Sequence, residues 1–169
     1  MKKVGLLSDT HGFLEPKIFE HFTEVDEIWH AGDIGSLAIT DSLKSFKPLR
    51  AVFGNIDDRI IRSEFPEDLI FELEGLKVLI THIGGYPGHY SPRAKRLIGE
   101  VKPDIFVCGH SHILRVMRDP FCENMMVLNP GAAGIHGFHP IKTALRFTLD
   151  DGKITKMEAI EMGKRGAIG

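Results

Sequence analysis

The sequence predicts an α/β protein of two stacked, mixed β-sheets with helices outside, in one domain spanning residues 1–169. Three observations carry this expectation. Strand-like and helix-like segments alternate through the first third of the chain, a rhythm that argues for parallel strands joined by crossover helices. Beyond Asn55 the pattern turns mostly to β. About ten strand-like runs in all exceed what one open sheet holds comfortably.

Lys3 to Ser8 is an apolar run ending in a polar cluster, which reads as a buried strand feeding a loop. Glu15-Pro16 opens a helical pattern with Ile18, Phe19, Phe22 and Val25 on one face. Glu27 to His30 is a second strand. Ser36 caps a helix carrying Leu37, Ile39, Leu43 and Phe46, and Leu49 to Phe53 is the third strand. Leu69 to Leu73 and Lys77 to Thr81 flank Glu74-Gly75 as a hairpin. Pro92 to Val101 is a helix. Asp104 to Cys108, Ile113 to Arg118 and Met125 to Leu128 are strands. Thr143 to Leu149 and Ile154 to Ile160 flank Asp151-Gly152, a strong hairpin signal. Met162 to Gly169 reads as a polar tail, disordered or docking on a partner.

Composition narrows the function classes. A 43% hydrophobic content over 169 residues is enough to build a core, which excludes a disordered or disulfide-stapled chain. The formal charge of −2 argues against a broad nucleic-acid surface. No apolar run approaches the ~20 residues of a membrane helix. The polar N-terminus does not resemble a signal peptide, so a cytoplasmic protein is expected. The two cysteines, Cys108 and Cys122, read as reduced thiols. Self-association into a homo-oligomer is left open.

The nine histidines are the unusual feature. Five polar clusters each follow a strand-like run: Asp9-Thr10-His11, Gly32-Asp33, Gly54-Asn55, Thr81-His82 and Gly109-His110-Ser111-His112. Ligand sites of α/β sheets assemble at the carboxyl ends of strands, so the five can converge. They supply two carboxylates, one amide oxygen and four imidazoles. Mixed oxygen and nitrogen ligation suits Mn, Fe, Zn, Co or Ni. Seven side chains are too many for one tetrahedral zinc but enough for two ions if one carboxylate bridges. Asp9 and His11, like His110 and His112, are two apart and share a face of an extended segment.

The ordered set D-x-H, G-D, G-N, T-H and G-H-x-H resembles the calcineurin-like metallophosphoesterase superfamily. Its small bacterial and archaeal phosphodiesterase branch, whose fold is shared with a retromer scaffold subunit, is the nearest in pattern. The resemblance spans residues 9 to 112, and Asn129-Pro130-Gly131 resembles a later family feature. It implies the metallophosphatase fold, a four-layer αββα sandwich. It implies that Asp9, His11, Asp33 and His112 hold one divalent ion and that Asp33, Asn55, His82 and His110 hold a second. Asp33 bridges, and Mn is the first expectation, with Ni, Fe, Co and Zn as alternatives. The implied reaction is phosphodiester hydrolysis by a hydroxide held between the ions, with Asp33, Asn55 and His82 acting through it and no side-chain nucleophile.

One departure bears on mechanism. The common family motif G-N-H-[DE] reads Gly54-Asn55-Ile56-Asp57, and Ile56 cannot donate a proton. His89, His136 and Arg59 are the candidates to substitute. Asp57 reads either as a group orienting Asn55 or a ligand, or as a solvated turn residue. A non-catalytic scaffold, a phosphomonoesterase and a nuclease of the same superfamily are the competing readings.

Overall fold

A computed structural model describes residues 1–166 of the chain. Among them are ten strands and four helices in two five-stranded mixed sheets. The first sheet holds β1 (Lys2–Leu7), β2 (Glu27–His30), β3 (Leu49–Ala51), β9 (Ile141–Asp150) and β10 (Lys153–Lys164), ordered β10-β9-β1-β2-β3. The second holds β4 (Asp68–Leu73), β5 (Leu76–Thr81), β6 (Ile105–Val107), β7 (Leu114–Asp119) and β8 (Met125–Pro130), ordered β4-β5-β6-β8-β7. β1, β2 and β3 run parallel, as do β5, β6 and β8. Hairpins add the antiparallel edges. This is the expected four-layer arrangement.

Alternation along the strands builds the layers. Val4 and Leu6 of β1 and Trp29 of β2 face the second sheet and meet Val78, Ile80 and Val107 between the sheets. Leu7 and Ile28 face the other way, against Ile18, Phe22 and Leu43. Those three come from α1 (Lys17–His21), the turn after it, and α2 (Leu37–Phe46). On the far side, Leu79, Phe106 and Val127 pack on Ala94 and Ile98 of α4 (Pro92–Val101). Gly5 admits the Phe22 ring: a Cβ there would lie 2.7 Å from it.

Local chemistry explains the element ends. Ser36 Oγ accepts from Ala38 N and Ser91 Oγ from Ala94 N, capping α2 and α4. Glu74-Gly75 and Asp151-Gly152 all have positive φ, as tight two-residue hairpins require. Three expectations are corrected. α1 stops at His21, where Thr23 Oγ1 donates to the carbonyls of Phe19 and Glu20, and Phe22 and Val25 enter the core from turns. A short helix, α3 (Arg59–Glu64), follows Asp58, whose carboxylate accepts from Ile61 N. The tail expected from Met162 is instead strand to Lys164, with Met162 buried under the first sheet's helices. The remainder of that expectation, residues 167–169, lies outside the described residues. No helix among the described residues is long and apolar enough to cross a membrane.

Candidate metal centre

Five strand ends bring the polar clusters to one edge of the sandwich. Asp9 and His11 follow β1, Asp33 follows β2, Asn55 follows β3, His82 follows β5, and His110 and His112 follow β6. Backbone bonds lace the loops together. Asp9 N donates to Gly32 O at 2.9 Å, His11 N to Asp33 O at 3.0 Å, and Gly109 N to His82 O at 2.9 Å. Two glycines allow the close approach. A Cβ on Gly54 would sit 2.1 Å from Asp33 Oδ1, and one on Gly109 would sit 2.2 Å from Ser8 Oγ.

Six of the seven side chains fall into two adjacent groups. Asp9, His11 and His112 place one ligand-type atom each within 4.8 Å of one another, and so do Asp33, His82 and His110. Asp33 Oδ2 lies between the groups, 3.4 Å from His11 Nε2 and 3.1 Å from His82 Nε2. Asp9 Oδ1 lies 3.2 Å from His112 Nε2, 3.7 Å from His82 Nε2 and 3.8 Å from His11 Nε2. Asn55 Oδ1 is 3.0 Å from His110 Nδ1.

These atoms fit a cation. Asp9 Oδ1, His11 Nε2 and His82 Nε2 are buried and find no hydrogen-bond partner in the protein, the state of ligand-type atoms that an ion or a water satisfies. His82 Nδ1 donates to Ala31 O at 2.7 Å, so its Nε2 lone pair faces the carboxylates. Lone pair against carboxylate is repulsive unless a proton or a metal ion lies between them.

The electrostatics agree. Burial alone would raise the Asp9 carboxyl, but the approach of His11 and His112 holds it well below the usual carboxylate range. Burial likewise opposes ionisation of Asp33, and His11 and His82 overcome it. The Asp33 carboxylate, with Asp9 adding to it, raises His11 to about 9. Burial would lower His82, and Asp33 outweighs it, raising the net value.

Five of the seven residues have left-handed backbones: Asp9, His11, Asp33, His110 and His112, with φ between 47° and 69°. That conformation costs an L-residue about 1–2 kcal/mol and concentrates at functional sites.

A buried shell fixes these loops. Asp57 accepts from Gly54 N, Ile34 N and Gly35 N at 2.8, 3.1 and 2.8 Å, tying the Asp33 loop to the Asn55 loop. It is buried, not a solvated turn residue. Ser8 Oγ and His110 N donate to Asp9 Oδ2. Asn129 Nδ2 donates to Gly109 O and Ser111 Oγ, holding the Gly109–His112 loop. Buried His30 takes a proton on Nε2 toward Thr10 Oγ1 and accepts from Gly32 N on Nδ1. Desolvation lowers it to about 4, so it stays neutral and structural.

The remaining candidates separate. His136 stacks on His11, ring centroids 4.9 Å apart, and lines a cavity of about 560 Å³ over the cluster. His89 is exposed beside Tyr86, and Arg59 is exposed on α3. Neither lines that cavity or the one of about 470 Å³ beside Asn55 and His82. The residue sequence reasoning missed is Ser8; His139, a histidine of the Gly-rich stretch after Asn129-Pro130-Gly131, is buried with its ring 5.1 Å from that of His112. Asn129 carried a signal in its Asn-Pro-Gly turn, but its partners did not.

Comparison with known proteins follows the same lines. A family profile described as the calcineurin-like phosphoesterase superfamily domain matches residues 1–152. A probable metallophosphoesterase of Methanocaldococcus jannaschii is 33% identical over 168 residues, covering 94% of this chain and 81% of its own. Among solved structures, a Vps29 variant from Entamoeba histolytica superposes with a TM-score of 0.73 at 16% identity, covering 94% of this chain and 98% of that one. A structure described as a novel archaeal phosphodiesterase superposes with a TM-score of 0.72 at 24% identity, covering 94% and 99%.

Proposed function

The chain belongs to the calcineurin-like phosphoesterase superfamily, a family that uses divalent metals, and on that premise we propose that it is a phosphodiesterase working with two divalent ions, manganese first among them. The observation that carries this reading is the position of Asp33 Oδ2, between His11 of one group and His82 of the other. Asp9, His11, Asp33 and His112 would hold one ion, and Asp33, Asn55, His82 and His110 the second. Such a pair supplies Lewis-acid polarisation of phosphoryl oxygens and a water acidic enough to attack at neutral pH.

The chain's own groups set the rest. Asp33 and Asp9 present anionic oxygens already stripped of competing protons. His82 is locked by Ala31 O in the tautomer that leaves Nε2 free. The buried hydroxyls and thiol beside the cluster are held away from a nucleophilic role. Ser8 and Thr10 are buried and donate to Asp9 and Ile34, and burial pushes the Cys108 thiol up to about 12. With two ions bound, water would be the attacking group. At the position where the family commonly has a histidine, Ile56 lends no proton to the departing oxygen, so esters with good leaving groups react fastest. The fold shared with an archaeal phosphodiesterase supports the diester preference.

The test is hydrolysis of a nitrophenyl phosphodiester and its monoester by metal-stripped protein with Mn²⁺, Ni²⁺, Co²⁺, Zn²⁺ or Mg²⁺ restored singly. Metal-dependent diester turnover, lost in Asp33→Ala and His112→Ala, is expected. A folded protein inert with every metal would overturn the enzymatic reading in favour of a scaffold.

A further inference from the structure

Three of the eleven exposed large apolar side chains among the described residues lie at the candidate metal centre. Ile56, Ile113 and Phe138 are 46%, 52% and 102% exposed, and all three line the cavity over the cluster. They come from three separate loops, after β3, after β6 and between β8 and β9, so chain connectivity does not force them together. His136, stacked face-on against His11, adds a flat ring to the same wall. The floor of the cavity is polar, made by His11, Asp33, Asn55, His110 and His112. A cavity with a ligating floor and an apolar wall suits a ligand with an anionic centre and an apolar arm. Exposed apolar patches of this kind mark binding sites.

We propose that Ile56, Ile113, His136 and Phe138 form the subsite for a planar aromatic substituent of the ester, so that the substrate class is an aromatic phosphoester. This rests on the phosphoesterase reading above. The anionic centre sits over the ligand cluster, and the aromatic arm lies against Ile56 and Phe138. Ile56, Ile113 and Phe138 select for the arm without contributing to proton transfer.

The experiment measures calorimetric binding of phenylphosphonate and methylphosphonate to the manganese-loaded full chain. Metal content and sedimentation are recorded alongside. Phenylphosphonate is expected to bind about tenfold more tightly. Phe138→Ser and Ile113→Ser, both changes at exposed positions, should each bring that ratio down to about two. Ile70→Ser, at an equally exposed isoleucine on β4, should leave it unchanged. Equal affinities in the parent, or a ratio that survives both substitutions, would overturn the subsite. So would a dimer lost in Phe138→Ser, which would make this wall an interface between copies. Failure to bind either phosphonate in a chain that hydrolyses the nitrophenyl diester would overturn the subsite, and failure together with no turnover would overturn the phosphoesterase reading itself.

Discussion

Asp33 sets the protonation of its neighbours. Its carboxylate, 3.4 Å from His11 Nε2, raises that imidazole to about 9 in the metal-free chain. The stability His11 contributes is then fully present below its unfolded value of about 6.5 and lost as pH rises through about 9. Asp9 and Asp33, held below the carboxylate range, act in the opposite sense. Their contribution is present above the unfolded value of about 4 and lost on acidification. Melting temperatures of chelator-treated protein should fall on both sides of this window, and His11→Ala should flatten the alkaline fall. The left-handed residues give a second prediction. His110→Gly removes about 1–2 kcal/mol of backbone strain and adds about 0.5–1 kcal/mol of unfolded-state entropy. Metal-free stability should therefore change by no more than about 1.5 kcal/mol while metal affinity drops. A loss above about 2 kcal/mol in urea unfolding would show that the imidazole is structural.

At the scale of elements, the loops after β2 and β3 are joined through one buried carboxylate. Asp57→Ala strands three backbone N–H groups, and an unsatisfied buried donor costs about 1–3 kcal/mol. The variant should lose about 3 kcal/mol or more in urea unfolding, with Asp57→Asn recovering part of it. This junction was half legible in the sequence, where Asp57 reads either as a group orienting Asn55 or a ligand or as a turn residue. Its partners Ile34 and Gly35 lie 23 and 22 residues away, so only the fold decides between the two. α3 was hidden because its cap, Asp58, lay inside the supposed turn. The strands that carry the ligands were legible, because each is an apolar run closed by a glycine or polar cluster. Where helices stop was less so: Thr23 ends α1 by a side-chain bond that periodicity does not report.

For the whole molecule, stacking the sheets brings the carboxyl ends of β1, β2 and β3 beside those of β5 and β6. Residue chemistry and order pointed to that convergence before any coordinates, since Asp, Asn and His at strand ends have few structural uses in common. The strained φ angles, the orphaned atoms of Asp9, His11 and His82, and the apolar wall of Ile56, Ile113 and Phe138 emerge only in three dimensions. The central claim is that seven side chains form two metal sites sharing Asp33. Anomalous scattering from crystals grown with Mn²⁺ tests it directly. Two peaks are predicted, one against Asp9, His11 and His112 and one against Asn55, His82 and His110, both in contact with Asp33. A single peak, or none in a folded and manganese-saturated crystal, would contradict it.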